Sequence, residues 1–423
     1  MKFCPPSWRS AARILAILSA FLPTAVNAQS LDAILSKQPN LSTFRELVKT
    51  NAGIFTNLPK GITVVAPNDD AFKRIGNWDQ MRDNSTLVAA ILKYHILPKV
   101  VSMTSIIKGE SAWSSSLLTD PAFSTVTGGQ HLILTKQPDG KVVFTSGFAT
   151  RGTVLAEDVS FDSGLVQVID AVMRVPENLE LTARNGYADD TTAFLGALFA
   201  TGLMQELINK QTDLTIFAPR NSAFQHLAGS LAGLSAPDLK RILAYHIIRG
   251  SVSHAWELQN ASSLVTAAAA ANGEKSSVAI TLHTNFIFVN SAQVMQTDVL
   301  LSNGVVHIID NVLDPDQARA RPDVSKVSQT PVFKALGTQT ETGTGLPTPF
   351  AENIPCTASC SLTTTVTATP SVLPIGSDAT GESRPSQVSS NAGVAAARCT
   401  GFAGGGTVGV VGIAAAGALM VGF

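Results

Sequence analysis

Three segments of this 423-residue chain occur twice, in the same order, with a whole domain length between the copies. The pairs are Thr63–Phe72 and Thr215–Phe224, Ile91–Leu97 and Ile242–Ile248, and Gly164–Asp170 and Gly304–Asp310. The second copies follow the first by 152, 151 and 140 residues. Solenoid repeats are only about 20 to 50 residues long. The sequence therefore predicts a tandem of two homologous globular domains.

The first repeated segment predicts a strand followed directly by a helix. In both copies a short apolar run, Ile62–Ala66 or Leu214–Ala218, ends at a proline, which cannot donate to a β-ladder. Asn68 in the first copy and Asn221-Ser222 in the second then offer short polar side chains that favour a helix N-terminus.

The remaining pattern predicts an α+β domain with its helices first. A stripe of apolar residues predicts an amphipathic helix that ends at Tyr-His in each copy, and alternating runs around Asp139-Gly140 predict a hairpin. The β-branched run Val305–Val312 predicts a buried central strand. The alanine-rich stretch Ala267–Ala271 is interpreted as a low-complexity loop.

These boxes resemble the fasciclin-like (FAS1) domain family. The resemblance rests on Thr-x-x-Ala-Pro-x-x-x-Ala-Phe, on the central Tyr-His, and on the Asn-Gly-Val-Val-His-x-Ile-Asp-x-Val-Leu box at Asn303–Leu313. It implies an α+β fold class of two tandem domains, 29–176 and 177–318, each a β-sandwich wedge with flanking helices. It also implies extracellular adhesion between cells or to matrix or wall.

The first copy departs from the pattern at two positions. Gln167 stands where the second copy has His307, and Ser163 stands where it has Asn303. The difference predicts that binding specificity is not shared equally by the two domains.

The two ends of the chain predict export and a lipid anchor. Residues 1–28 have basic residues around an apolar run and a small-residue cleavage site, which is typical of a signal peptide. Residues 392–423 are typical of a GPI-attachment signal, with Asn391 as the predicted attachment residue. The alternative is a membrane helix over 407–423, although that stretch is short and rich in Gly and Ala.

Residues 319–391 predict a Ser/Thr/Pro-rich stalk, because this composition lacks the bulky apolar residues of a core. Cys356 and Cys360 are candidates for a local disulfide. Three Asn-x-Ser/Thr sequons predict N-glycosylation at Asn40, Asn84 and Asn260.

The charge balance argues against nucleic acid as a partner. Of the 30 basic residues, Lys2, Arg9, Arg13 and Arg398 lie in the segments predicted to be removed, which leaves 26 against 31 acidic residues. A mildly acidic surface does not favour a polyanion. The predicted partners are cell-wall or matrix glycans, or surface proteins, with membrane contact through the lipid anchor only.

Seven residues are candidates for binding. Adhesion by fasciclin-like domains has been attributed to the Tyr-His region, which points to Tyr94, His95, Tyr245 and His246. The favoured alternative is that they are core residues whose polar tips find backbone partners, and His307 has the same interpretation. Asp158 and Asp298 resemble a short acidic recognition element of animal relatives, or else are turn residues.

Motifs of catalysis are scarce. The sequence contains no His-Glu-x-x-His, no Gly-x-Ser-x-Gly and no Walker loop, and its seven histidines lack metal-ligand spacing. We therefore expect no enzyme activity, no catalytic residues, no cofactor and no metal. Two alternatives to adhesion stay open: a GPI-anchored hydrolase or transglycosylase of wall polysaccharide, and a structural surface spacer.

Overall fold

The structure is a computed structural model that describes residues 29–56, 58–231, 234–269, 273–326, 328–333 and 348–355. The predicted signal peptide, Cys356, Cys360, Asn391 and the predicted GPI signal lie outside the described residues.

Within its described residues, domain 1 has three helices before its first strand, three more between its first and second strands, and five further strands after the second. The helices are α1 (Leu31–Ser36), α2 (Ser42–Thr50), α3 (Ala52–Phe55), α4 (Asp69–Lys73), α5 (Trp78–Met81) and α6 (Ser85–Tyr94). The strands are β1 (Ile62–Pro67), β2 (Ile96–Leu97), β3 (Ser111–Ser115), β4 (His131–Lys136), β5 (Val142–Thr145), β6 (Arg151–Phe161) and β7 (Gly164–Ile169).

Domain 2 repeats the arrangement. Its helices are α7 (Leu179–Gly186), α8 (Ala188–Ala200), α9 (Asn221–Leu231), α10 (Ala236–Ala244) and α11 (Ala255–Asn260), with a π-helical segment at Met204–Ile208. Its strands are β8 (Leu214–Pro219), β9 (Ile247–Arg249), β10 (Ser263–Ala269), β11 (Lys275–His283), β12 (Phe286–Val289), β13 (Ala292–Leu301) and β14 (Gly304–Ile309).

Each domain is built on one seven-stranded sheet with the same strand order. The order is β2-β1-β7-β6-β5-β4-β3 in domain 1 and, read from the same end, β9-β8-β14-β13-β12-β11-β10 in domain 2. Among the strand pairs of the described residues, only β1/β7 and β8/β14 are parallel. In domain 1 the Leu117 N–H donates to the Ile96 carbonyl at 2.9 Å, which joins the chain after β3 to β2. The sheet is therefore a nearly closed wedge, and the predicted α+β class with two tandem domains is confirmed.

The first and last strands of each wedge lie in the middle of its core. Every residue of β1, β8 and β14 is buried. In domain 1, Val64 belongs to an apolar cluster with the helices, whereas its neighbour Val65 belongs to a cluster inside the curled sheet with Tyr94 and Phe144. A strand that is covered on both faces reads as a continuous apolar run, which is why Val305–Val312 was recognisable as a buried central strand.

Local predictions hold at several positions and fail at two. Asn68 caps α4 by accepting from the Ala71 N–H at 2.8 Å, and β4 and β5 pair across the Asp139-Gly140 turn. Asn221 instead accepts from the Ala193 N–H of α8 at 2.8 Å, so its side chain joins two helices. The predicted loop over Ala267–Ala271 is wrong for Ala267–Ala269, which belong to β10.

The two domains share an extended contact surface. The Gln130 amide donates to the Leu301 carbonyl at 2.8 Å, and the Thr125 N–H donates to the Ser302 carbonyl at 2.8 Å. Thr127 donates to the Asp213 carboxylate through its N–H at 2.7 Å and its hydroxyl at 2.6 Å.

Chain beyond domain 2 also contacts it. Asn311 donates to the Gln329 carbonyl at 3.1 Å, and Phe333, Phe350 and Ile354 pack against the domain 2 core. These contacts fall inside the range predicted as stalk. Within the described ranges, no helix combines the length and apolar character needed to cross a bilayer.

Candidate functional site

Tyr94 and His95 lie at the end of α6 and are almost fully buried. The Tyr94 hydroxyl donates to the His131 carbonyl at 2.8 Å. The His95 ring contacts the Ile91 carbonyl through Nδ1 at 2.7 Å, and its Nε2 accepts from the Met173 N–H at 2.9 Å. Since Nε2 accepts, Nδ1 carries the proton, and the ring ties the end of α6 to the chain that follows β7.

Tyr245 and His246 repeat this arrangement in domain 2. The Tyr245 hydroxyl donates to the Ser277 carbonyl at 2.8 Å, while His246 contacts the Ile242 carbonyl through Nδ1 at 2.8 Å. Its Nε2 accepts from the Leu313 N–H at 2.8 Å. In both domains the Tyr-His pair has its polar atoms bonded inside the protein, which gives it a structural role.

Burial sets the protonation of these groups. Desolvation lowers the pKa of His95 and of His246 from 6.5 to about 4, because a buried imidazolium loses its hydration. Burial also raises the pKa of the Tyr94 hydroxyl well above its usual value. All three groups are therefore neutral near pH 7.

Asp158 occupies a bulge of β6 with a left-handed φ of 55°. Its carboxylate accepts from the Ser102 hydroxyl at 2.6 Å and from the Met103 N–H at 3.1 Å. Burial raises the pKa of Asp158, but the hydrogen bonds that its carboxylate accepts, led by those from Ser102 and Gln167, together outweigh burial, so the net shift is downward. The carboxylate fixes the loop after β2 to the sheet.

Asp298 has the matching position in β13, with a φ of 59°. It accepts from the Ala255 N–H at 3.0 Å and from His254 Nδ1 at 3.3 Å. Burial raises the pKa of Asp298, but the hydrogen bonds from His254 and Ala255 and the electrostatic effects of His307 and His254 together outweigh it, so the net shift is downward. Its side chain is only 7% exposed, so it is less available to a partner than Asp158.

Gln167 and His307 make equivalent bonds beside these two acids. Gln167 Oε1 accepts from the Asp158 N–H at 2.8 Å and its Nε2 donates to the Val101 carbonyl at 3.0 Å. His307 Nδ1 accepts from the Asp298 N–H at 3.3 Å and its Nε2 contacts the Ser253 carbonyl at 2.8 Å. The two residues make equivalent structural bonds. The difference between them therefore does not support the prediction that the two domains differ in binding specificity.

A histidine pair at the domain junction was not expected from sequence. His254 occupies the place that Ser102 has in domain 1, and its ring lies 4.8 Å from the ring of His131 and 6.2 Å from that of Trp113. His131 Nδ1, His254 Nε2 and Trp113 Nε1 are buried without a hydrogen-bond partner. Burial, and after it the electrostatic effect of His254, lowers the pKa of His131 to about 4.

Domain 1 carries an open groove of about 300 Å³ between the chain after β2 and the edge strand β3. We call it the domain 1 groove. Its lining includes Lys99, Val100, Ser105, Ile107, Glu110 and Ala112. Val100 is 54% exposed and Ile107 is 63% exposed. No repeat box or apolar period marks these residues, so sequence reasoning missed them.

The predicted glycosylation residues Asn40, Asn84 and Asn260 are all exposed. The Asn84 side chain also caps α6 by accepting from the Leu87 N–H at 3.1 Å. Among the residues that the structure describes, no three His, Cys, Asp or Glu side chains are grouped as metal ligands.

The fold and the buried Tyr-His pairs define a class of protein: two copies of one α+β domain on a nearly closed seven-stranded sheet. The Fasciclin domain family model matches the chain twice, over residues 39–176 and 189–315. The chain belongs to the fasciclin domain family.

Two curated relatives and one solved structure are similar to this chain. The chain is 30% identical over 329 residues to a fasciclin-like arabinogalactan protein of Arthroderma benhamiae, covering 75% of this chain and 74% of the relative. It is 28% identical to the fasciclin-like arabinogalactan protein elcF of Phaeosphaeria nodorum, covering 73% of this chain and 96% of that relative. A FAS1 domain pair from the insect cell adhesion molecule Fasciclin I aligns at 19% identity with a TM-score of 0.32, covering 67% of this chain and 99% of that one.

The family supports an extracellular or cell-surface protein with an adhesion or matrix-associated role.

Proposed function

We propose that this protein is a GPI-anchored, glycosylated surface protein that binds wall or matrix glycans, or surface proteins, through the domain 1 groove. The proposal rests on a contrast between two sets of candidate binding residues. The Tyr-His pairs, Asp298 and His307 have internal partners, whereas the groove presents exposed Val100 and Ile107 beside polar groups.

The chemistry of the groove suits non-covalent recognition. Exposed aliphatic side chains supply contact area, and Lys99 and Glu110 supply polar contacts at its rim. Such a site gives weak binding. Many copies on one surface raise the effective concentration and convert weak contacts into stable attachment.

The same groove offers little to a hydrolase. Glycoside hydrolysis needs two facing carboxyl groups, and Glu110 is the one carboxylate among the groove residues. Burial raises the pKa of Asp310 and of Asp314, but both carboxylates accept backbone N–H bonds and neither lines the groove.

The test is retention of the full chain, purified from a eukaryotic secretory host, on immobilised wall and matrix material. The double variant Val100→Ser Ile107→Ser should bind about tenfold more weakly, since apolar anchors carry most of the binding energy at such surfaces. Leu155→Ser is the matched control, because Leu155 is also an exposed aliphatic residue of domain 1 (53% exposed) but does not line the groove.

If Leu155→Ser weakened binding as much as the double variant does, the binding surface would not be the domain 1 groove. No retention of the unaltered chain above background would leave the structural spacer as the better account. The anchor has a separate test, since a phosphatidylinositol-specific phospholipase should release the protein from intact cells.

A further inference from the structure

The segment 348–355, within the predicted stalk, lies on the helical face of domain 2. A short 3₁₀ helix, Ala351–Asn353, packs against α8. The Phe350 ring meets the Phe224 ring edge to face, with 6.3 Å between their centroids. Phe350 and Ile354 both join the apolar core cluster of domain 2.

Gly196 of α8 makes this contact possible. A Cβ atom added at Gly196 would overlap the carbonyl oxygen of Phe350. A glycine in the middle of a helix is less favourable than an alanine, because it loses more conformational entropy. Its presence in α8 is explained by the close approach of the Phe350 backbone.

Domain 1 lacks the equivalent feature. Asp69 accepts from the Thr43 N–H at 2.7 Å, as Asn221 accepts from the Ala193 N–H at 2.8 Å, and this match aligns α2 with α8. Glu46 lies three residues after Thr43, and Gly196 lies three residues after Ala193. Glu46 of domain 1 therefore corresponds to Gly196 of domain 2. The Glu46 side chain is 67% exposed and would occupy the place of a docked backbone.

A polar contact fixes the far end of the segment. The Arg184 guanidinium donates to the Pro355 carbonyl and is held by an ion pair with Glu180 at 2.8 Å. The two side chains are 13% and 21% exposed, so the pair is shielded from solvent. Aromatic packing at Phe350 and a charged donor at Pro355 thus anchor both ends.

We propose that the α8 face around Gly196 is a docking site for an extended peptide with an aromatic anchor, and that its occupant is the chain's own segment 348–355. Phe333 packs on the same core cluster as Phe350 and Ile354.

The test is hydrogen exchange of the full chain by mass spectrometry. Amides of 348–355 should be protected in the unaltered protein and should exchange roughly tenfold faster or more in Phe350→Ala and in Gly196→Glu, which installs the domain 1 residue. Ala200→Glu is the matched control, because Ala200 is an exposed position of the same helix. The double variant Phe350→Ala Gly196→Glu should add little to either single change.

Two results would overturn the proposal. One is exchange of 348–355 at the rate of a free peptide in the unaltered protein, or an equal acceleration by the Ala200 control. The other is a dimer in light scattering that Phe350→Ala converts to monomer, since the segment would then dock on a second copy. Phe350→Ala changes a partly exposed side chain outside the repeat boxes, so it remains informative if Gly196→Glu fails to fold.

Discussion

At the scale of single residues, Gln167 of domain 1 and His307 of domain 2 make equivalent hydrogen bonds with different side chains. Each must accept from the N–H of a bulged aspartate and donate to a carbonyl of the loop after the second strand. An amide and a neutral imidazole both place one acceptor and one donor at opposite ends of a flat group. The sequence difference is therefore compatible with equal roles.

This equivalence predicts the outcome of His307→Gln and His307→Leu. The glutamine variant should lower the free energy of unfolding by less than about 1 kcal/mol, because both bonds can be remade. The leucine variant leaves the Asp298 N–H and the Ser253 carbonyl unpaired in the core, at a loss of roughly 2–5 kcal/mol. Urea unfolding of both variants checks this, and equal losses would contradict the equivalence.

The buried histidines predict acid sensitivity. Burial lowers the pKa of His95 and His246 to about 4 in the folded state. The unfolded chain, with a histidine pKa near 6.5, then binds more protons between these values. Stability should accordingly fall as the pH drops from about 6.5 to about 4, by on the order of 3 kcal/mol for each histidine.

A variant separates this effect from general acid unfolding. In His246→Gln the free energy of unfolding should depend less steeply on pH, by up to about 1.4 kcal/mol per pH unit. His283→Gln is the control, since His283 is exposed. An unchanged slope in His246→Gln, measured by urea unfolding from pH 4 to 7, would refute the assignment.

At the scale of elements, the parallel strand pair in each domain depends on a glycine. A Cβ atom at Gly164 or Gly304 would overlap the backbone of the partner strand, at Ile62 or Leu214. Backbone atoms of a buried central strand have no room to retreat. These glycines begin β7 and β14 and set how closely the two strands approach.

Gly164→Ala and Gly304→Ala should each be strongly destabilising, by roughly 2–5 kcal/mol, since overpacking forces a shift of the paired backbone. Gly53→Ala is the control, because Gly53 lies in α3 with no atom near the added Cβ. The helical control should be neutral or slightly stabilising. Thermal unfolding distinguishes the two outcomes, and a neutral Gly164→Ala would argue against the close strand approach.

How far the sequence predicts these elements depends on whether the determining contacts are local. The strand before Pro67 and the cap at Asn68 are set within a few residues, and both were predictable. The strand at Ala267–Ala269 was not, because it is held by pairing with β11 and has no apolar period. Asn221 resembles a cap locally, yet its partner in α8 is 28 residues away.

The candidate site follows the same rule. Sequence placed His95 on the apolar stripe of α6, but the Met173 N–H that binds its Nε2 lies 78 residues further along the chain. The junction of His131, His254 and Trp113 has no counterpart in the repeat, since Ser102 stands in the place of His254. Contacts between the domains are the hardest to predict from a repeated sequence, because the repeat identifies only the features that both domains share.

For the whole molecule, the domain contacts predict one cooperative unit. Trp113 of domain 1 packs against the core cluster of domain 2 and stacks on His254, with 30° between the ring planes. Gln130, 1% exposed, donates across the junction to Leu301. An interface that buries apolar side chains and bonds buried polar groups couples the unfolding of its two sides.

Calorimetry of the full chain should therefore give a single unfolding transition at neutral pH, and Trp113→Ala should divide it into two. The alanine removes the partly buried ring that packs at the junction, and the loss should be smaller than the roughly 3–5 kcal/mol that truncation of a fully buried tryptophan costs. Trp256→Ala is the control, because Trp256 is 49% exposed on α11. If Trp113→Ala kept one transition at the midpoint of the control, the domains would be coupled by other contacts, with the Thr127–Asp213 bonds as the next to remove.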